Sequence, residues 1–158
     1  MNFTLNFTPD KQYYNEAYGE IVSSLKYKKY EPYFAILLIG MGIVLYFQDT
    51  YKVSGIMPVA FSLVGIYQLF NLYFEKKKWI KDRLDSKILG QKIEMQFTDE
   101  SFKHNGPFSN GELKWNGIKK IVKTKKGLLI KPENGVSIYL PNKVFKDEAH
   151  IEFILSKY

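Results

Sequence analysis

The sequence predicts a membrane α+β protein: a two-helix transmembrane hairpin joined to a cytoplasmic β-barrel or sandwich that a C-terminal helix closes. Two long apolar runs lie between residues 33 and 74, and from residue 90 the pattern changes to short alternating segments. The net charge of +7 comes entirely from residues 75–158, because basic and acidic residues balance in residues 1–74. The 158 residues include no cysteine, which excludes disulfide, cysteine–zinc and thiol chemistry.

The two apolar runs are long enough to predict membrane spans. Tyr33–Phe47 has 15 uncharged residues, about 23 Å of helix, and Tyr30 and Tyr51 can extend it at the headgroup level. Val53–Phe74 has 22 uncharged residues, about 33 Å, which exceeds a hydrocarbon core of about 30 Å. Neither run has the polar stripe of a soluble core helix. We therefore predict a hairpin over 31–78, with spans at about 33–50 and 53–74.

Small residues lie in the middle of both runs. No ionisable residue lies there, which argues against an ion path or a transporter site. Four of the small residues could let the helices approach closely: Gly40, Gly42, Ser62 and Gly65. The first 32 residues lack the apolar core of a secretory signal, so the hairpin is expected to persist in the mature protein.

Positive charges flank the hairpin on the side of the two termini. The predicted loop, residues 48–52, offers only Lys52. Eight basic residues lie outside it: Lys26, Lys28, Lys29, Lys76, Lys77, Lys78, Lys81 and Arg83. By the positive-inside rule, both termini are expected in the cytoplasm.

Residues 1–30 predict a strand followed by an amphipathic helix. Asn2–Thr8 alternates strictly, as in a half-buried strand, and is expected to join the β-domain. A helix is expected from Lys11 to about Tyr30, with an apolar stripe: Tyr13, Ala17, Ile21 and Leu25. We interpret this stripe as packing on the cytoplasmic domain, and a helix lying on the membrane surface is the alternative.

Residues 79–158 predict a linker helix followed by a small β-domain. The linker helix continues from the second span to about Leu89, and Asn116–Gly117 predicts a tight hairpin. Six short strands are expected at residues 92–98, 101–105, 108–115, 118–124, 127–131 and 136–140, and a helix at 149–157. Together with the N-terminal strand, this count matches a pleckstrin-homology-like barrel in which the helix plugs one open end.

Several short blocks make the chain similar to a known family. They are Gly111–Ile118, Thr124, Ile138–Phe145 and the opening Phe3–Leu5, together with the paired spans. With these features the chain resembles the YcxB-like family of small bacterial membrane proteins. The resemblance implies a membrane hairpin inserted near the start of a bacterial pleckstrin-homology-like domain, and it supplies no catalytic residue.

Two groups of lysines are candidate contacts for anionic lipid headgroups or for a partner. One follows the second span: Lys76, Lys77 and Lys78. The other crowds one strand and its turn: Lys119, Lys120, Lys123, Lys125 and Lys126. Alternation would place Lys119, Lys123 and Lys125 on one face of that strand, with Ile118, Lys120, Val122 and Thr124 on the other. The alternatives are that the first group only fixes topology and that the second is a solvated strand face.

Catalytic and metal chemistry are not expected. The only histidines are His104, in a predicted turn, and His150, on the exposed side of the last predicted helix. No metalloprotease motif, nucleophile elbow or phosphate-binding glycine loop is present. We therefore predict no enzyme activity and no cofactor. Nucleic-acid binding is disfavoured because no recognition helix accompanies the basic charge.

These features together predict an integral protein of the bacterial inner membrane, in contact with the lipid bilayer. It would present a cytoplasmic pleckstrin-homology-like module to a protein or peptide partner, or to anionic lipid headgroups. The alternatives are a bacteriocin-immunity or envelope-stress protein and an accessory subunit of a membrane transporter. The sequence does not predict the oligomeric state.

Overall fold

A computed structural model describes residues 1–48 and 55–158, which form an α+β structure of two compact units. The β-unit comprises Met1–Ser24 and Ile80–Tyr158, and the hairpin unit comprises Leu25–Trp79. The predicted loop residues 49–52 and the first two residues of the second predicted span, 53–54, lie outside the described residues.

Four α-helices and seven β-strands follow one another along the described chain. The helices are α1 (Lys11–Ser23), α2 (Glu31–Phe47), α3 (Ile56–Leu84) and α4 (Glu148–Leu155). The strands are β1 (Phe3–Phe7), β2 (Ile93–Phe97), β3 (Ser101–Asn105), β4 (Asn110–Lys114), β5 (Ile118–Lys123), β6 (Gly127–Pro132) and β7 (Ile138–Pro141). Three short 3-10 turns cover Lys28–Tyr30, Trp115–Gly117 and Asn142–Val144.

The strands form two antiparallel sheets. The first has the order β1-β2-β3-β4 and the second β5-β6-β7. The N-terminal strand joins the first sheet, with Phe3 opposite Phe97 and Phe7 opposite Ile93. No strand of one sheet pairs with a strand of the other within the described chain, so the two sheets do not close into a barrel, which was one of the two predicted forms beside the sandwich.

The two sheets and α4 share one aromatic and aliphatic core. Phe97 lies 5.4 Å from Phe102 and 6.2 Å from Trp115, measured between ring centroids. The indole Nε1 of Trp115 donates a hydrogen bond to the Thr98 carbonyl oxygen at 3.0 Å, so its polar atom is satisfied. The rest of the core comes from both sheets and from α4: Leu5, Met95, Ile118, Ile121, Leu128, Ile130, Leu140, Ile151 and Ile154.

Helix α1 packs against the second sheet. The Asp10 carboxylate caps its first turn by accepting from the Tyr13 amide at 2.6 Å. The Tyr13 hydroxyl donates to the Tyr139 carbonyl oxygen at 2.9 Å, and beyond the other end of the helix Lys131 Nζ donates to Ser24 Oγ at 2.8 Å. α1 ends at Ser23, so the predicted helix to Tyr30 is too long.

Small residues allow α2 and α3 to approach closely within the hairpin unit. A Cβ added to Gly42 would lie 2.6 Å from the Pro58 carbonyl oxygen, and one added to Gly65 would lie 2.6 Å from that of Ala35. Gly42 and Gly65 therefore lie in the contact. Nothing approaches Gly40 within 4 Å, so its predicted place in the contact is wrong.

Over residues 33–47 and 56–74, the rest of the surface of both helices is largely apolar and exposed. The exposed fractions reach 81% for Phe47 and 75% for Ile56. Both helical segments, Lys28–Phe47 and Ile56–Leu84, have the length and apolar composition that a membrane span requires.

Two predicted local features differ from the structure. Residues 115–117 form a 3-10 turn that links β4 of the first sheet to β5 of the second, so Asn116–Gly117 does not make a hairpin. The Trp115 amide donates to the Glu100 carbonyl oxygen at 3.2 Å, which holds this link against the β2–β3 turn. The helix after the second span ends at Leu84 instead of Leu89.

Candidate ligand-binding lysines

The eight lysines singled out by the sequence are all exposed, and they belong to different units. Lys76, Lys77 and Lys78 lie on α3 in the hairpin unit. Lys119, Lys120 and Lys123 lie on β5 of the β-unit, whereas Lys125 and Lys126 form the β5–β6 turn.

A β-bulge changes which residues share a face of β5. The register shifts between Ile118 and Lys120, and as a result Ile118 and Ile121 are both buried although they are three residues apart. The predicted grouping of Lys119, Lys123 and Lys125 against Ile118, Lys120, Val122 and Thr124 is therefore wrong. One inserted residue reverses the alternation beyond it.

The lysines of β5 have different charged neighbours. Lys119 Nζ lies 4.0 Å from a carboxylate oxygen of Glu133, and Lys123 Nζ lies 3.8 Å from one of Glu148. Lys120 pairs across the sheet with Lys131. Partial burial, and then the charge of Lys120, hold the pKa of the Lys131 ammonium below its usual value. Lys119 and Lys123 therefore have a carboxylate nearby, whereas Lys120 and Lys131 place two positive charges side by side.

The β5–β6 turn has a firmly held backbone. The Thr124 hydroxyl donates to the Gly127 carbonyl oxygen at 3.0 Å and accepts from the Gly127 amide at 3.2 Å. The Lys126 carbonyl oxygen accepts from the Asn142 amide at 2.8 Å and from the Tyr139 hydroxyl at 3.1 Å. With its backbone groups engaged inside the domain, the turn exposes the side chains of Lys125 and Lys126.

Sequence reasoning missed two lysines beside this turn. Because Asn142 is bonded to the turn, Lys143 and the segment leading to Lys146 lie next to it, and both side chains are exposed. We call these four lysines the basic corner: Lys125, Lys126, Lys143 and Lys146. The contact joins positions far apart in the chain, so a run of lysines in the sequence cannot reveal it.

The basic corner lacks matching carboxylates. Within residues 1–48 and 55–158, no carboxylate oxygen lies within 4.0 Å of any of its four ammonium groups. The nearest acidic residues in the sequence have other partners: Asp147 Oδ1 accepts from the Ala149 amide at 3.0 Å, and Glu148 pairs with Lys123. These four exposed lysines, in the β5–β6 turn and in the segment that follows Asn142, therefore have no carboxylate to match their charge.

At the base of the hairpin unit, basic and aromatic side chains lie together. An ion pair between Lys28 and Glu75 joins the turn before α2 to α3, directly before Lys76–Lys78. Lys29 Nζ lies 4.8 Å from the ring centroid of Tyr30, and three other tyrosines here are also exposed: Tyr27, Tyr33 and Tyr73. Amphipathic rings and lysines in this arrangement are typical of a membrane–water interface.

The two histidines lie in the β-unit. His104 is on β3, not in a turn, and its Nε2 lies 3.5 Å from Ser109 Oγ. The prediction that His150 lies on the exposed side of its helix is wrong, because its ring stacks on Phe3 at 4.1 Å. No group of three or more His, Asp or Glu side chains that could hold a metal ion occurs among the described residues.

One comparison with known proteins gives a match. Residues 97–155 match the model of the family described as YcxB-like protein, which confirms the family resemblance predicted from the sequence. The match begins at the end of β2 and includes β3–β7, α4 and the basic corner. No curated protein and no solved structure matches the chain.

Proposed function

We propose that this chain, whose residues 97–155 match the YcxB-like protein family, is an integral membrane protein that presents a cytoplasmic binding module. In this proposal α2 and α3 span the inner membrane of a bacterium, and both termini lie in the cytoplasm. The β-unit is a pleckstrin-homology-like domain that binds an anionic ligand through exposed lysines.

The observation that carries the membrane part is the apolar outer surface of α2 and α3. Large side chains such as Leu37, Ile43 and Leu63 are more than half exposed, while Gly42 and Gly65 face the partner helix. Exposed apolar area costs roughly 25 cal/mol per Å² in water, and lipid removes this cost. Small residues between helices and large apolar residues outside them are typical of membrane helix pairs.

The arrangement of the β-unit supports the pleckstrin-homology-like assignment. Four strands and three strands form two antiparallel sheets, and a C-terminal helix follows the last strand. Ile151 and Ile154 of α4 enter the core between the sheets. The strand count and the terminal helix are those expected for this architecture, although the two sheets do not close.

Binding fits the chemistry of the lysines better than catalysis does. The exposed ammonium groups of the basic corner carry positive charge and donate hydrogen bonds, which suits recognition of carboxylate or phosphate groups. The backbone around them is already bonded, so this surface is preformed and needs little reorganisation to accept an anion.

Fractionation of cells expressing the full-length chain tests the membrane part. The protein should sediment with membranes, resist extraction at alkaline pH and dissolve only in detergent. Reporter fusions should report a cytoplasmic Tyr158 and an extracytoplasmic 48–52 loop. Recovery as a compact soluble species from a detergent-free lysate would overturn the proposal.

A further inference from the structure

We infer that β4 is the edge through which the β-unit pairs with a second copy of this chain, in the antiparallel register that places Glu112 opposite Lys114 of the second copy. The inference goes beyond the proposed function, because it rests on residues of the β-unit alone and uses neither a membrane nor a ligand. Two identical copies paired in this way are related by a two-fold axis, so the same contact forms twice.

The edge at β4 lacks the cover that the other sheet edges have. The two described sheets have the edge strands β1, β4, β5 and β7. The 3-10 turn Asn142–Val144 packs against β1, α4 packs against β5, and α1 packs against β7. Among the described elements, only the neighbouring strand β3 packs against β4 to a comparable extent. An uncovered edge presents backbone groups that a further strand can bond.

Hydrogen bonds at the two ends of the β3–β4 ladder show which backbone groups of β4 point outward. The Trp115 amide donates to the Glu100 carbonyl oxygen at 3.2 Å. At the other end, the Gly106 amide donates to the Ser109 carbonyl oxygen at 3.0 Å. Bonded and non-bonded residue pairs alternate along an antiparallel ladder. The register of β3 with β4 therefore directs away from β3 the amide and carbonyl groups of every second residue: Asn110, Glu112 and Lys114.

The side chains of β4 carry opposite charges two residues apart. The Glu112 carboxylate is held in place, because Ser101 Oγ donates to its Oε1 at 2.5 Å and Lys103 Nζ lies 3.6 Å from its Oε2. Lys114 is exposed, and among the described residues no carboxylate oxygen lies within 4.0 Å of its ammonium group. Glu112 of a second copy would supply this missing counter-charge.

Hydrogen bonding and charge together select one register for two antiparallel β4 strands. The outward groups can bond only when Asn110, Glu112 and Lys114 lie opposite residues whose groups also point outward. Registers centred on residue 110 or 111 form no ion pair. Registers centred on Glu112 or Lys114 bring like charges together, which destabilises a strand pair. The register centred on Leu113 forms the Glu112–Lys114 pair twice, each with two backbone hydrogen bonds.

Leu113 lies on the two-fold axis in this register, on the face of β4 opposite to Glu112 and Lys114. Its side chain is partly buried against the core, and it pairs across the sheet with Phe102. Side chains that face each other in a non-hydrogen-bonded pair approach closely. Leu113 of the second copy would therefore cover the exposed part of this side chain, which adds apolar burial to the ion pairs.

Disulfide cross-linking of the full-length protein in detergent tests the register. The chain has no cysteine, so Leu113→Cys introduces a single one at the axis. Opposite Cα atoms in a non-hydrogen-bonded pair lie about 4.5 Å apart, within the range that a disulfide spans. We expect oxidation of this variant to give a covalent dimer.

The matched control for cross-linking is Lys103→Cys, at an exposed position of β3. Two copies of β3 would lie three strand spacings apart, about 14 Å, which is too far for a disulfide. Equal cross-linking at positions 103 and 113 would overturn the inference, and so would stronger cross-linking of Glu112→Cys than of Leu113→Cys.

Charge reversal tests the same contact without changing Leu113. Lys114→Glu gives a copy with two negative charges on β4, and Glu112→Lys gives a copy with two positive charges. Each variant alone should dimerise about tenfold more weakly than the unmodified protein in sedimentation experiments, because both ion pairs become like-charge pairs. An equimolar mixture should recover the dimer, since opposite charges then meet at both pairs. A monomeric unmodified protein, undiminished dimerisation of the separate variants, or a mixture as weak as those variants would contradict the pairing.

Discussion

Gly127 closes the β5–β6 turn at a position that has no room for a side chain. A Cβ there would lie 2.9 Å from the Leu140 carbonyl carbon and from Pro141 Cα, against backbone atoms that cannot move aside. We expect Gly127→Ala to lower the free energy of unfolding of the β-unit by about 1–3 kcal/mol. Urea unfolding of the detergent-solubilised full-length protein, followed by Trp115 emission in a Trp79→Phe background, measures this.

Gly19 provides the matched control for that substitution. It lies exposed within α1, and nothing comes within 4 Å of an added Cβ. Gly19→Ala should raise the free energy of unfolding by about 0.5–1 kcal/mol, because alanine loses less backbone entropy in a helix. Equal effects of the two alanine substitutions would contradict the tight packing of the turn.

Sequence reasoning identified candidate site residues that a local sequence pattern marks. It missed those that come together only through a contact between distant parts of the chain. The run from Lys119 to Lys126 stands out in the sequence, but the bulge between Ile118 and Lys120 decides which of its side chains share a face. Lys143 reaches the basic corner only through the bonds of Asn142 to the turn. No periodicity encodes either contact, because each depends on how strands pair.

Among the elements, α1 contacts the second sheet through its half-buried Tyr13 and the buried Tyr139 of β7. Tyr13 donates its hydroxyl to the Tyr139 carbonyl oxygen. Burial, and then the neighbouring Tyr14 and Tyr139, hold the pKa of Tyr13 above its ordinary value of 10.0, and burial also raises the pKa of Tyr139. A raised pKa in the folded state gives stability that is complete below the unfolded value and is lost as the pH rises above it.

Tyr13→Phe tests this contact. Loss of one hydrogen bond should lower the free energy of unfolding by about 0.5–1.5 kcal/mol at neutral pH. The variant should also lose less stability above pH 10 than the unmodified protein does, because one hydroxyl with a raised pKa is gone while those of Tyr14 and Tyr139 remain. Unfolding curves across the alkaline range measure both effects. Tyr27→Phe is the control, since Tyr27 is 75% exposed and lies outside the β-unit; an identical alkaline profile for all three proteins would contradict the role of Tyr13.

The bounds of a helix or strand were predictable where local turn residues alone determine them. The third strand has the predicted bounds, Ser101–Asn105, because turn residues flank this short segment on both sides. The hairpin predicted at Asn116–Gly117 is absent, because a two-residue hairpin turn of this type needs positive φ at both central residues. Among the described glycines only Gly90 and Gly135 have positive φ, and residues 115–117 carry the chain between two sheets.

At the scale of the whole molecule, the two units correspond to two hydrophobic periodicities. The long uncharged runs give α2 and α3, and the alternating segments give the two sheets. Barrel closure was not predictable, because it depends on hydrogen bonds between edge strands, and alternation does not identify the neighbours of an edge. The division of the seven strands into a four-stranded and a three-stranded sheet is visible only in the pairing of the strands in the structure.

The orientation of the whole chain tests whether Lys76–Lys78 alone fixes the topology of the hairpin. With these three residues replaced by Gln, five basic residues still flank the hairpin against Lys52: Lys26, Lys28, Lys29, Lys81 and Arg83. The positive-inside rule then predicts an unchanged orientation. Replacing all eight flanking basic residues and adding two lysines within residues 48–52 should invert it.

Labelling of a single cysteine from Ser156→Cys with an impermeant maleimide in intact spheroplasts distinguishes the two orientations, because the chain has no other cysteine. Inversion by the triple substitution alone would make Lys76–Lys78 the main determinant of orientation. If the eightfold variant kept its orientation, charge would not orient this protein, and the predicted cytoplasmic location of the β-unit would lose its support.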